Sequence, residues 1–157
     1  MDGRFQVGIV PSHRHSSSLQ YQPLYKEQMF LYCSNTHPFY NADVKDLTRE
    51  TILSSKYAGL GYHSPNMEIG KTLGMTRSAS AYDQEAIAHL VLSGRYIGYL
   101  PEHYARSFIE DNKMKAIGKE VFQYLCHFSA ITRVSPKPSR LTTTFLNTLS
   151  QAHQHNQ

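Results

Sequence analysis

The sequence predicts an α/β fold from three features. Between Ala81 and Pro101, AYDQEAIAHLVLSGRYIGYLP places a strand, an amphipathic helix and a second strand in succession. Phe5–Val10 alternates Phe5, Val7 and Ile9 against Gln6 and Gly8, the period-two pattern of a strand. Val121–Val134 is long enough for a strand with Phe122, Tyr124, Cys126, Phe128 and Ala130 on one face, and an amphipathic helix follows it. Two strands joined through a helix form a parallel crossover whose helix must pack on a sheet, so strands and helices belong to one layered core.

The strand and helix signals fall in chain order. Pro11 is expected to end the first strand, and His13, Arg14, His15 and three serines form a polar connector. Leu19–Tyr25 and Met29–Cys33 read as two strands around Lys26, Glu27 and Gln28, and a short helix is expected near Val44–Glu50. Tyr57–Leu60 reads as a strand. Ser64 followed by Pro65 is a helix-start signature, because the serine oxygen accepts from the first turn while proline lacks an N–H that would be unpaired there, so a helix should span Pro65–Leu73. Its first turn should leave the N–H groups of Asn66 and Met67 facing outward.

Ser78–Tyr82 leads to Asp83, an N-cap for a helix from Gln84 whose stripe of Ala86, Ile87, Leu90 and Val91 faces the core. Gly94 supplies the left-handed residue after it. Tyr96–Leu100 is a buried strand, Glu102–Glu110 a helix and Met114–Ile117 a short strand. Ser139 caps a final helix with Leu141, Phe145, Leu146 and Leu149 on one side.

At 157 residues with 40% hydrophobic content, the chain fits one domain or two small lobes. No stretch is apolar over the roughly 18 residues a membrane span needs, and MDGRFQVGIVP lacks the regions of a secretory signal, so a cytoplasmic protein with no membrane partner is expected. Cys33 and Cys126 lie in apolar runs and read as buried free thiols. The net charge of +4 is scattered, which describes a solvated surface rather than a nucleic-acid footprint. An apolar strand so near Met1, with no preceding element to cover it, predicts a piece of something longer.

DGRFQVGIVP, then QPLYKEQMFLYCSNTHPFY with its PL, E and HP landmarks, then VKDL, then EAIAHLVLSGRYIGYLP, resembles the effector-binding domain of LysR-type transcriptional regulators. Arg133 on the closing strand and the helix after Ser139 and Arg140 fit the same order. The resemblance covers nearly the whole chain. It implies a two-lobed, periplasmic-binding-protein-like (type II) α/β domain with its first lobe incomplete: residues 12–100 as lobe two, residues 1–11 and 101–157 as lobe one. It also implies a small-molecule effector between the lobes, with DNA contacted only through a winged helix-turn-helix absent from this sequence. A lobe with missing strands exposes apolar edges, so a homo-dimer or larger assembly is expected.

In open α/β sheets, ligands sit beyond the carboxyl ends of strands, where helix starts present N–H groups. Two stretches satisfy this rule. Pro11, Ser12, His13 and Arg14 follow the first strand, and Tyr62, His63, Ser64 and Asn66 lead into the helix at Pro65. A carboxylate could accept from Ser64, from the N–H groups of Asn66 and Met67, and from the Arg14 guanidinium. A serine serving only as a cap and a solvated His13–His15 connector are the competing readings. Tyr99 and Pro101, at the other crossover, read first as hinge packing, with Tyr99 a further candidate contact.

Nine histidines raise the question of a metal, but neither His13 with His15 nor His153 with His155 has acidic or cysteine partners in sequence. Cys126 and His127 are adjacent and would point to opposite faces of a strand. No phosphate-binding glycine loop occurs. No cofactor and no catalysis are therefore expected. A solute-binding protein of the same architecture and a small α/β enzyme are the alternatives.

Overall fold

The strand, helix and strand expected between Ala81 and Pro101 are present in the computed structural model, which describes residues 5–12 and 15–153. β1 spans Gly8–Pro11, β2 Leu19–Ser34, α1 Arg49–Leu53, β3 Tyr57–Leu60, α2 Pro65–Leu73, β4 Arg77–Ala81 and α3 Gln84–Leu92. β5 (Ile97–Pro101), α4 (Glu102–Glu110), β6 (Met114–Ala116), β7 (Gln123–Arg133) and α5 (Arg140–His153) complete the order.

Two compact units form, one from residues 1–27 with 125–157, the other from residues 28–124. Residues 101–124 stay with the second unit because α4 rests on β5 and β6, and β6 pairs with the second half of β2.

In the 28–124 unit, β5 lies between β2, to which it is antiparallel, and β3, to which it is parallel, and β4 continues the parallel set beyond β3. The chain thus crosses from β4 through α3 to β5, passing over β3. Asp83 caps α3 through its carboxylate, which accepts from Ala86 N–H at 2.7 Å. Ile87 and Val91 are fully buried, and Ala58, Leu60, Ala81, Leu100 and Met114 join them in one apolar cluster. Gly98 permits the closeness of this helix: a Cβ there would stand 2.9 Å from Ile87 Cγ2 and 3.0 Å from Val91 Cγ2. Gly94 ends the turn after α3 at φ +77°, in the left-handed region.

In the other unit, β1 is antiparallel to β7, with Val10 opposite Ser129 and Pro11 opposite Phe128. Pro11 ends β1 as its last residue, and Ser12 N–H still bonds His127 O at 2.7 Å, while the strand begins at Gly8 rather than at Phe5. Proline needs only a position whose nitrogen owes no hydrogen bond. Tyr124, Cys126, Phe128 and Ala130 do share the more buried face of β7.

Two further expectations are corrected. Leu19–Tyr25 and Met29–Cys33 are one 16-residue strand, because the polar Lys26–Gln28 segment stays extended. The helix expected near Val44–Glu50 is a single 3₁₀ turn at Val44–Asp46 followed by α1, which Thr48 caps through Thr51 N–H. On the apolar side of α5, Leu146 and Leu149 are half-buried, while Leu141 is 79% exposed and Phe145 50%.

Candidate functional site

The start of α2 is built as its sequence predicts. Ser64 is the N-cap and is buried, its Oγ accepting from Met67 N–H at 3.3 Å, and Glu68 N–H is taken by Ser64 O at 3.1 Å. The Met67 N–H expected to face a ligand is therefore already satisfied by the cap, which leaves the Asn66 N–H as the first-turn donor. Tyr62 and His63 stand exposed just before the cap, and His63 Nε2 lies 3.5 Å from Glu68 Oε1.

Asn66 is 2% exposed and ties the helix start to β3. Its Oδ1 accepts from Tyr57 O–H at 2.8 Å and from Leu60 N–H at 3.3 Å, while its Nδ2 has no acceptor among the described residues. A buried amide with one unused donor is costly unless something completes it, by about 1–3 kcal/mol. Arg77 closes the neighbouring strand by donating to Leu60 O at 2.6 Å.

Tyr99 is in the centre of β5 with no exposed surface, its ring edge-on to Tyr57 and to Tyr124. Burial, reinforced by Tyr57, holds its hydroxyl well above the usual tyrosine range, and the hydroxyl has no partner among the described residues.

Pro11 and Ser12 sit in the unit formed by residues 1–27 and 125–157, half-buried at the end of β1. Ser12 O–H donates to Ser129 Oγ at 2.6 Å. Both serines border a cavity of about 470 Å³ that His15, Tyr25, Lys26 and His127 also line. Tyr25 stacks on Phe128, with ring centroids 4.9 Å apart. Burial raises the Tyr25 hydroxyl above its ordinary value, with Glu27 and then Cys126 adding to the effect. His13 and Arg14 lie outside the described residues. The sequence reading missed Ser129, Tyr25 and His127 here, since the β1–β7 register that brings Ser129 opposite Val10 is a pairing across more than a hundred residues.

Both cysteines are buried, and burial pushes each thiol up to about 11, so both are neutral thiols at physiological pH. Among the described residues, no group of three His, Cys, Asp or Glu side chains is placed to hold a metal ion, and no helix is long and apolar enough to cross a membrane.

The mixed sheet carries parallel β-α-β crossovers, and the serine-capped start of α2 lies beyond the end of β3, where open α/β sheets take up ligands. The family follows from comparison with known proteins: residues 1–154 match the family model described as the LysR substrate binding domain, and the chain belongs to that family. Over 150 residues it is 32% identical to the HTH-type transcriptional activator BauR of Pseudomonas aeruginosa, covering 96% of this chain and 49% of that protein. The chain thus spans about half the length of the curated relative it matches. It is similar in fold to the regulatory domain of Synechocystis PCC6803 CcmR in complex with 2-PG, with a TM-score of 0.72 at 15% identity over 98% of this chain and 76% of that one. The bromide-bound regulatory domain of HypT from Salmonella typhimurium gives 0.73 at 15% identity over 98% and 75%. Reduced OxyR from N. meningitidis gives 0.71 at 18% identity over 98% and 74%.

Proposed function

We propose that this chain is the effector-sensing part of a LysR-type transcriptional regulator of the cytoplasm. It takes up a small anionic ligand and controls transcription through a DNA-binding part of the longer protein. The observation that carries the reading is the start of α2, where Ser64 and Asn66 are buried and an amide donor of Asn66 is left without an acceptor. A carboxylate or inorganic anion offers acceptors to such a donor and to the positive end of the helix. The Synechocystis relative is described in complex with 2-PG and the Salmonella relative with bromide, and bromide is an anion.

In this reading Tyr62, His63, Ser64 and Asn66 contact the effector with the buried Tyr99 supporting them, and Pro11, Ser12, His13 and Arg14 are the further candidate contacts. The ligand acts by binding one of two arrangements of the regulator more tightly, since only a difference in affinity can shift an equilibrium. Self-association also belongs to the proposal: β1 pairs only with β7 among the described residues, and its open edge, like the exposed Leu141 and Phe145, favours contact with a second copy.

The test is thermal unfolding against a panel of small carboxylates, aromatic acids and amino acids, for the native chain and for Ser64→Ala and Arg14→Ala. A ligand at 100 times its dissociation constant stabilises the fold by about 2.7 kcal/mol. We expect a stabilising compound whose effect is lost in both variants. A stabilisation equal in all three proteins would remove these residues from the site.

A further inference from the structure

Within the 28–124 unit a second cavity, of about 510 Å³, opens between α1 and the chain joining β6 to β7. Its floor is apolar and buried: Ile52 and Phe122 are 0% and 1% exposed, while Val121 at the rim is 48% exposed. Gly118 shapes that floor. Its φ of +54° suits glycine, and a Cβ there would fall 2.7 Å from Phe122 Cδ2 and 2.9 Å from Ile52 Cδ1. Phe122 N–H donates to Gly118 O at 2.8 Å, which fixes the turn.

The polar rim is cationic. Lys115 and Lys119 line the cavity against a single acid, Glu120, and Arg49 lines it too while donating to Leu73 O at 3.0 Å. Lys115 Nζ lies 5.4 Å from the Tyr40 ring centroid and Lys119 Nζ 5.3 Å from that of Phe30, and neither ammonium has a carboxylate partner among the described residues. A wholly polar anion gains nothing from the Ile52–Phe122 floor, and a neutral apolar molecule gains nothing from the ammonium groups. A molecule with both parts uses the whole cavity.

We propose that this cavity is a second ligand site, taking a small amphiphilic anion: an apolar carbon body lies on Ile52, Phe122 and Val121, and its carboxylate meets Lys119 and Lys115. The site shares no residue with the Ser64 region and does not rest on the function proposed above.

Octanoate is the probe and 1-octanol its neutral counterpart, each titrated calorimetrically into the native chain, Lys119→Glu and Ser64→Ala. Lys119 is exposed, so charge reversal leaves the core intact, and circular dichroism verifies this. Octanoate should bind the native chain and Ser64→Ala alike, and bind Lys119→Glu at least about tenfold more weakly. Octanol should bind more weakly than octanoate and be indifferent to the Lys119 change. No octanoate binding, equal affinity in Lys119→Glu, loss of binding in Ser64→Ala, or an octanoate effect that is only the dissociation of a dimer would each overturn the proposal. Failure of the carboxylate panel at Ser64 with octanoate still bound here would sink the first reading and leave this one standing.

Discussion

His37 shows how one buried side chain ties stability to pH. Its Nδ1 accepts from Phe39 N–H at 3.1 Å and its Nε2 stands 3.4 Å from Ser55 Oγ, with the ring 7% exposed. Burial lowers its pKa below the usual 6.5, because a proton on the ring would be poorly solvated and would face a backbone donor. The unfolded chain therefore binds the proton first, and stability present above about pH 6.5 is lost as the pH falls from there toward the folded value. Urea unfolding between about pH 7 and pH 5 should show a smaller stability loss in His37→Asn, which keeps a capping acceptor, than in the native chain. Equal slopes would mean that His37 is not the group responsible. Gly98 gives a steric counterpart. Gly98→Ala forces a Cβ against Ile87 and Val91, and overpacking of this kind costs about 1–3 kcal/mol. The urea midpoint should drop with its slope unchanged, and an unmoved midpoint would show that α3 can shift outward freely.

Elements defined by local chemistry were legible in the sequence. The helices Pro65–Leu73 and Glu102–Glu110 have the bounds expected of them, and Asp83 and Ser64 are the caps, because a cap and an amphipathic stripe are settled within a few residues. Asp83→Ala should cost about 1 kcal/mol in urea unfolding, while Asp83→Asn, which retains an acceptor, should cost less. Equal losses would assign the effect to charge. What depends on distant partners was not legible: the unbroken course of β2 through Lys26–Gln28, and Ser129 beside Ser12. On α5 the apolar stripe is only partly covered, with Leu146 and Leu149 half-buried and Leu141 and Phe145 exposed. Leu141→Lys should leave stability within about 0.5 kcal/mol, as for other exposed positions, and should weaken any self-association seen by sedimentation. A large destabilisation would instead mean that this face is packed in solution.

At the scale of the whole molecule, the chain is a member of the LysR substrate-binding family that spans about half the length of its curated relative. The start of α2 lies wholly within one compact unit, and backbone amide exchange reads ligand uptake there more directly than stability alone. The decisive measurement is hydrogen exchange of the native chain with and without the most stabilising compound of the carboxylate panel. Uptake at the α2 start predicts slowed exchange at Ser64, Asn66 and Met67. Unchanged exchange there, or protection confined to the cavity at Ile52 and Phe122, would contradict it.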